Sequence, residues 1–164
     1  MKHILLTTCL TIIFFSMQAQ RAYDSAVGAR LGYPISLSYK KYISEANALE
    51  ANLSFSNNRN GYGWIGISGA YLHHKELDIE GIDNLNWYFG GGGSVLFWNY
   101  VSRSSRFRNA NTAFSIDGYI GIEYTFEDLP LNITVDWTPS IFINGFIGGF
   151  GAGYGAIAVR YVLD

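Results

Sequence analysis

The sequence is poor in cysteine and in charged residues. Its single cysteine, Cys9, lies in the first twenty residues. If that segment is removed as a leader, the remaining chain has no disulfide, no thiol nucleophile and no cysteine-based metal site. Charged residues make up 15% of the 164 positions, against about 25% in a soluble domain. This shortage is expected of a chain whose outer surface faces lipid.

Long apolar runs are also missing from most of the chain. Beyond the N-terminal region, no stretch approaches the ~18 uninterrupted apolar residues of a membrane-spanning helix. The formal net charge is −2, which is too mild to indicate nucleic-acid binding. The length suits one domain. Helical membrane proteins and nucleic-acid-binding proteins are therefore both disfavoured.

The N-terminus has the pattern of a secretory signal peptide. Lys2 and His3 form a short basic head, residues 4–15 form an apolar core, and residues 16–20 are small or polar. The apolar core is too short for a stable membrane anchor. We predict that residues 1–20 are removed after export and that residues 21–164 form a single domain.

The remaining chain alternates between apolar and polar residues. Residues 131–138 read LNITVDWT, with an apolar side chain at every odd position. A period of two is typical of a strand with two different faces. The same reading predicts eight strands, at residues 25–32, 35–43, 47–56, 64–74, 85–98, 113–126, 131–138 and 154–163.

The apolar faces of these strands indicate contact with lipid. None of the positions assigned to them is charged, and Lys or Arg at the bilayer midplane would cost about 2–4 kcal/mol there. The later connections also alternate between short or acidic turns and longer loops rich in glycine or asparagine; the short Tyr33–Pro34 turn is an exception. We therefore predict an all-β fold, an eight-stranded antiparallel up-and-down transmembrane β-barrel.

Several short stretches carry a resemblance to a known group of proteins. They are residues 28–32 (GARLG), 38–42 (SYKKY), 48–50 (ALE), 87–92 (WYFGGG), 121–124 (GIEY), 130–133 (PLNI), 136–139 (DWTP) and 158–161 (AVRY). In these stretches the chain resembles the small outer-membrane β-barrel proteins common in Bacteroidetes. The resemblance implies an eight-stranded barrel in the outer membrane, and it brings no catalytic residues.

Charged residues on the polar faces are expected to point into the barrel. The interior of an eight-stranded barrel is just wide enough for side chains to fill it, and buried charges must pair. Lys40 and Glu50 flank a short turn and could lie opposite each other. Such a network would stabilise the barrel, or would form a proton path or gated pore. Its predicted members are Arg30, Lys40, Glu50, Asp117, Glu123, Asp136 and Arg160.

The longest predicted loop, residues 99–112, contains three arginines. Arg103, Arg106 and Arg108 lie close together in it, beside Phe107. A guanidinium group suits phosphate, so an outward loop of this kind would bind lipopolysaccharide or another anion. The alternative is an ordinary solvated loop.

His73 and His74, with Glu76 nearby, raise the question of a metal site or an acid–base pair. Adjacent residues on a strand point to opposite faces, so both histidines cannot easily share one site. Residues at the membrane interface are the simpler interpretation. The sequence therefore predicts no catalytic residue, no metal and no cofactor.

Glycine and tryptophan residues also have simple structural interpretations. Residues 90–93 and 151–156 resemble phosphate-binding loops, but they lack the required Gly-Lys-Ser/Thr or strand–turn–helix context. Glycine there would let the barrel bend and would make room for bulky neighbours. Aromatic girdles at the membrane surfaces would account for Trp64, Trp87, Trp98 and Trp137.

These observations together predict a non-enzymatic outer-membrane barrel with a polar, side-chain-filled lumen. Its expected partners are outer-membrane lipids, lipopolysaccharide or an external partner, and the barrel-assembly machinery during biogenesis. A lipid A-modifying enzyme and a narrow pore remain alternatives. A soluble ligand-binding barrel would need an apolar interior and a charged exterior, which is the reverse of the assigned faces.

Overall fold

The described part of the chain forms a closed antiparallel sheet. The computed structural model describes residues 23–57, 62–100, 110–143 and 149–163. Within them, the strands follow one another around a barrel that closes where the first meets the last. The predicted fold class is confirmed. The strands are β1 (Ser25–Gly32), β2 (Ile35–Tyr42), β3 (Asn47–Asn57), β4 (Tyr62–Glu76), β5 (Leu85–Tyr100), β6 (Ala110–Thr125), β7 (Leu131–Phe142) and β8 (Gly149–Leu163).

Closure gives every strand two neighbours. β1 pairs with β8 from Ser25 opposite Leu163 to Gly32 opposite Ala156. A closed sheet leaves no edge of unpaired N–H and C=O groups, which is the condition for a sheet to cross lipid. We call the end that carries Ser25 and Leu163 the terminal rim, and the opposite end the distal rim.

The outer surface carries an aliphatic band between aromatic residues. On β6, Phe114 and Tyr124 bracket Ile116, Ile120 and Ile122, all on the outward face. Ten residues at ~3.4 Å each, tilted by about 40°, rise ~26 Å, which matches the ~25 Å apolar band of an outer-membrane barrel. The apolar residues thus lie on the outside of the barrel.

Charged side chains on the outward faces are confined to one end. In the described strands, Lys41 on β2 and Lys75 on β4 are the outward-facing charged residues, and both are exposed. Both lie near the terminal rim. Among the residues that the structure describes, no helix is long and apolar enough to cross a membrane.

Several strands extend further toward the distal rim than predicted. The predicted bounds of the last two strands are wrong at this rim, because β7 continues past residue 138 to Phe142 and β8 begins at Gly149 rather than at residue 154. A register shift between Thr138 and Ser140 accommodates Pro139, which has no N–H to donate. β5 and β6 also extend beyond their predicted bounds at this rim. The pairing of β5 with β6 continues past Phe114, the aromatic edge of the apolar band, as far as Asn99 opposite Ala110.

Candidate functional site

The charged residues selected from the sequence point into the barrel. They occupy the inward positions of six different strands, and Lys40, Glu123 and Arg160 are each 0% exposed. Because burying a charge is costly unless it is paired, their partners decide what the lumen can do. The buried set is Arg30, Lys40, Glu50, Asp117, Glu123, Asp136 and Arg160.

The carboxylate of Glu123 organises the end of the lumen near the terminal rim. The ammonium of Lys40 donates to its Oε2 atom. The hydroxyls of Tyr42 and Tyr23 donate to Oε1 over 2.9 Å and 3.2 Å. Glu123 therefore accepts from three side chains that come from other parts of the barrel wall, and it connects them across the lumen.

Aromatic rings surround this ion pair. The Lys40 ammonium lies 4.6 Å from the centre of the Tyr88 ring, where a cation–π attraction is favourable. The His74 ring lies between Tyr42 and Tyr88, with centroid distances of 4.9 Å and 5.0 Å. Its Nε2 atom is 3.8 Å from Oε2 of Glu123. The rings fill the space around the charges at this level.

A second layer is built on Arg160. Its guanidinium NH2 atom lies 3.0 Å from Oε1 of Glu50. Its Nε atom donates to Ser38 over 3.0 Å, and NH1 donates to Thr134 over 3.1 Å. The sequence suggested that Lys40 and Glu50 could pair. They do lie opposite each other in register, but Lys40 forms its ion pair with Glu123 and Glu50 forms its pair with Arg160.

A third layer joins β1 to β7. The guanidinium of Arg30 donates to Oδ1 of Asp136, and the hydroxyl of Tyr88 donates to Oδ2 over 2.8 Å. Gly121 makes this contact possible, because a Cβ atom there would lie 2.8 Å from the Tyr88 hydroxyl and 2.7 Å from Cβ of Asp136. Three successive ion pairs thus fill the described lumen from the terminal rim upward, and Arg30, 4.0 Å from Glu50, links the second layer to the third.

The tetraglycine of residues 90–93 lies in the wall of the barrel. Gly92 faces inward, and a Cβ atom there would lie 2.1 Å from the carbonyl oxygen of Gly69 on the neighbouring strand. Only glycine fits such a close approach. The segment is continuous β5, so it has the close-packing role of glycine rather than the geometry of a phosphate-binding loop.

The distal half of the lumen is a vestibule around Asp117, lined by hydroxyl groups and by apolar side chains. The carboxylate accepts from Ser115 over 2.9 Å and from Ser94, and no Lys or Arg among the described residues lies within ion-pair distance of it. A cavity of about 70 Å³ adjoins it, which is large enough to hold water. Its hydroxyl-bearing walls include Ser36, Ser54, Ser68, Ser94, Ser115, Thr138 and Ser140.

The structure separates the two adjacent histidines and buries Trp64. His73 faces outward and lies 2.8 Å from Asn47 through Nδ1, whereas His74 faces inward, so the two do not converge. Trp64 was assigned to an aromatic girdle, and this is wrong, because its side chain is buried beside Leu96 and Phe142 in the vestibule. Its neighbour Ile65 points outward, so alternation places Trp64 inside.

Arg103, Arg106 and Arg108 lie outside the described residues, as does the predicted signal peptide at residues 1–20. The strands on either side of the arginine loop are described. β5 ends at Tyr100 and β6 begins at Ala110, so the chain leaves and re-enters the barrel at the distal rim.

Known structures with the same architecture are small bacterial barrels. The N-terminal β-barrel domain of Pseudomonas aeruginosa OprF matches with a TM-score of 0.58 at 11% identity, over 87% of this chain and 96% of that one. Neisserial surface protein A matches with a TM-score of 0.58 at 13% identity, over 85% and 94%. The fold is that of a small outer-membrane β-barrel.

No relative is found when the amino-acid sequence is compared with protein families and curated proteins. No family model matches the chain, and no curated protein matches it. The shared architecture at low identity therefore shows the fold alone, and the function of the barrel has to be argued from its own residues.

The sequence pattern missed part of the lumen. Inward tyrosines contribute as much to it as the charged groups do: Tyr23, Tyr42 and Tyr88 each donate to a buried carboxylate. In an alternation pattern a tyrosine is counted as an apolar residue. Its inward direction could have been predicted only from its even or odd position along the strand. Chemically, the described lumen offers paired charges and hydroxyls, and it brings no histidine to the vestibule.

Proposed function

We propose that the protein is a small non-enzymatic outer-membrane barrel that displays loops on a rigid, plugged support. The arginine-containing segment between β5 and β6, within the loop predicted at residues 99–112, would contact the phosphates of lipopolysaccharide or another anionic partner outside the cell. The chain would reach the outer membrane by signal-peptide export. A rigid scaffold that carries variable loops is a common way to place binding residues.

The height of the β5–β6 hairpin is the observation that carries the proposal. β5 and β6 have 16 residues each, whereas β1 and β2 have 8 each. At ~3.4 Å per residue and a tilt of about 40°, 16 residues rise ~42 Å, well above the ~25 Å apolar band. The taller hairpin would raise Arg103, Arg106 and Arg108 above the apolar band, to the level of the headgroup phosphates.

The arginine loop can be tested with purified lipopolysaccharide. Replacing Arg103, Arg106 and Arg108 by serine is expected to weaken association by up to about 100-fold at low salt, since each cation near an anionic lipid surface contributes about 1 kcal/mol. Binding would be measured with the refolded barrel immobilised in detergent, over a salt series. Lys41→Ser with Lys75→Ser at the terminal rim is the matched control. Equal affinities for all three proteins would remove the loop from the proposal.

The filled lumen argues against the alternative of a narrow pore. Three ion pairs and the aromatic rings around Lys40 occupy the axis below the vestibule. We expect purified protein in planar bilayers to give no sustained stepwise conductance at 1 M KCl. Insertion would be checked in parallel by the heat-dependent shift of the folded barrel on electrophoresis. Stable single-channel steps from inserted protein would replace the plugged-support proposal with the pore.

The lipid A-modifying enzyme has less support. Such an enzyme needs a serine, a histidine and an acid together at one membrane depth on the external side. The described vestibule has Asp117 and serine hydroxyls but no histidine. His73 and His74 lie at the other end, near the turn that joins β2 to β3, where His74 donates its backbone N–H to Ala46 over 2.7 Å.

A further inference from the structure

A groove runs down the outer surface of the barrel across β2, β3 and β4. Two adjoining depressions form it, of about 350 Å³ and 470 Å³, and both are wide open to the outside. The upper one lies between Leu37, Leu53 and Ile67. Tyr39 and Ala51 line both depressions. The groove therefore descends from the middle of the apolar band toward the terminal rim.

The floor of the groove is open because its residues are small. Gly69 lies opposite Ala51 in register, and a Cβ atom built on Gly69 would meet nothing within 4 Å. The packing of the barrel itself therefore does not require glycine at this position. A larger side chain would fit there and would fill the groove, so the open space is available to a molecule outside the barrel.

A cation closes the lower end of the groove. Lys41 lines the lower depression together with Leu49, Tyr71 and Gly69. Its side chain is exposed and points outward, like every second residue of β2. Lys75, the other outward-facing charge of the described strands, lies on β4 with its ammonium 5.9 Å from the centre of the Trp87 ring. An apolar groove that ends at an exposed ammonium matches the chemistry of an acyl chain that ends at a phosphate.

We propose that this groove binds an anionic phospholipid of the leaflet next to the terminal rim. One acyl chain lies along Leu53, Ala51 and Gly69, and the headgroup phosphate contacts the ammonium of Lys41. A lysine can keep its charge at the interface while its stem lies along apolar surface. This inference rests on the proposed membrane location, since the groove is occupied by lipid only in a bilayer.

Spin-labelled lipids in reconstituted vesicles test the site. The refolded barrel would be placed in phosphatidylcholine vesicles with spin-labelled phosphatidylglycerol or spin-labelled phosphatidylcholine, and the immobilised fraction of each would be measured. We expect phosphatidylglycerol to associate ~5-fold more strongly, the effect of one lysine near an anionic headgroup. Lys41→Gln should abolish most of this preference. Lys75→Gln removes the same charge from the same rim and should keep it.

Filling the groove tests the acyl-chain half of the site. Ala51→Leu with Gly69→Leu should lower the immobilised fraction of both lipids. Gly155→Leu is the matched control, because Gly155 is an exposed, outward glycine of β8 whose added Cβ atom would meet only a carbonyl oxygen at 3.9 Å. A ratio near one in the wild type, or equal losses in Lys41→Gln and Lys75→Gln, would overturn the site.

The two proposals fail in different ways in this experiment. If the barrel does not insert into the vesicles, as judged by its heat-dependent electrophoretic shift, the membrane location itself is wrong. If it inserts and shows no preference for phosphatidylglycerol, the barrel remains a membrane protein and only the lipid site is removed.

Discussion

Replacing Glu123 by glutamine is expected to lower the free energy of unfolding of the barrel by about 3–5 kcal/mol, the usual cost of removing one partner of a buried ion pair. The amide keeps the shape of the side chain but removes its charge. Lys40, which is 0% exposed, is then left as a buried cation without a carboxylate. The hydroxyls of Tyr23 and Tyr42 lose a charged acceptor as well.

Urea unfolding of the protein in lipid vesicles, followed by tryptophan fluorescence, measures this effect. Glu127→Gln is the control, because Glu127 lies exposed in the turn after β6 and accepts a hydrogen bond from Asn84 over 3.0 Å. A double variant, Lys40→Met with Glu123→Leu, removes both charges and should recover most of the lost stability. A loss below about 1 kcal/mol in Glu123→Gln would show that water screens this end of the lumen.

Replacing Ile120 by arginine is expected to destabilise the inserted barrel by about 2–4 kcal/mol, because its side chain would enter the middle of the hydrocarbon. Ile120 faces outward and is 49% exposed, and it lies between the aromatic residues Phe114 and Tyr124 on β6. In a water-soluble barrel the same substitution would place a charge in solvent and would have little effect. The result therefore decides which medium surrounds the outer face.

A second arginine, placed at the edge of the apolar band, provides the comparison. Ile143 is 67% exposed and donates its backbone N–H to the carbonyl of Phe114, the aromatic edge of the band. Ile143→Arg should therefore cost only about 0–1 kcal/mol, as expected near the interface. Both variants would be unfolded in the same vesicles. Equal stabilities for Ile120→Arg and the wild type would argue that the barrel is not embedded in lipid.

The inward and outward faces of the strands could be predicted because alternation is a local property. Along β7, an apolar residue at every odd position is enough to separate the outward Val135 and Trp137 from the inward Asp136. The predicted end of β7 at residue 138 was wrong. Beyond Pro139, β7 continues to Phe142, an apolar residue that is buried on the inward face and so breaks the polar and apolar alternation.

The partners inside the lumen could not be predicted in the same way. Lys40 and Glu50 were matched by their distance from a shared turn, which gives their register correctly. Their ion pairs depend on the width of the lumen and on side-chain length. Lys40 reaches Glu123 on β6 across the barrel, and Glu50 meets Arg160 of β8.

The sequence by itself determined that the chain forms eight alternating strands with an apolar outer face and a charged inner face, because a strand exposes side chains to two sides with a period of two residues. Only the tertiary structure decided the three ion pairs, the burial of Trp64 and the groove that ends at Lys41. Those features arise from closure, which brings strands that are distant in sequence to opposite walls of one narrow lumen. They also arise from the tilt and stagger of the strands, which set the height at which each side chain meets its partner.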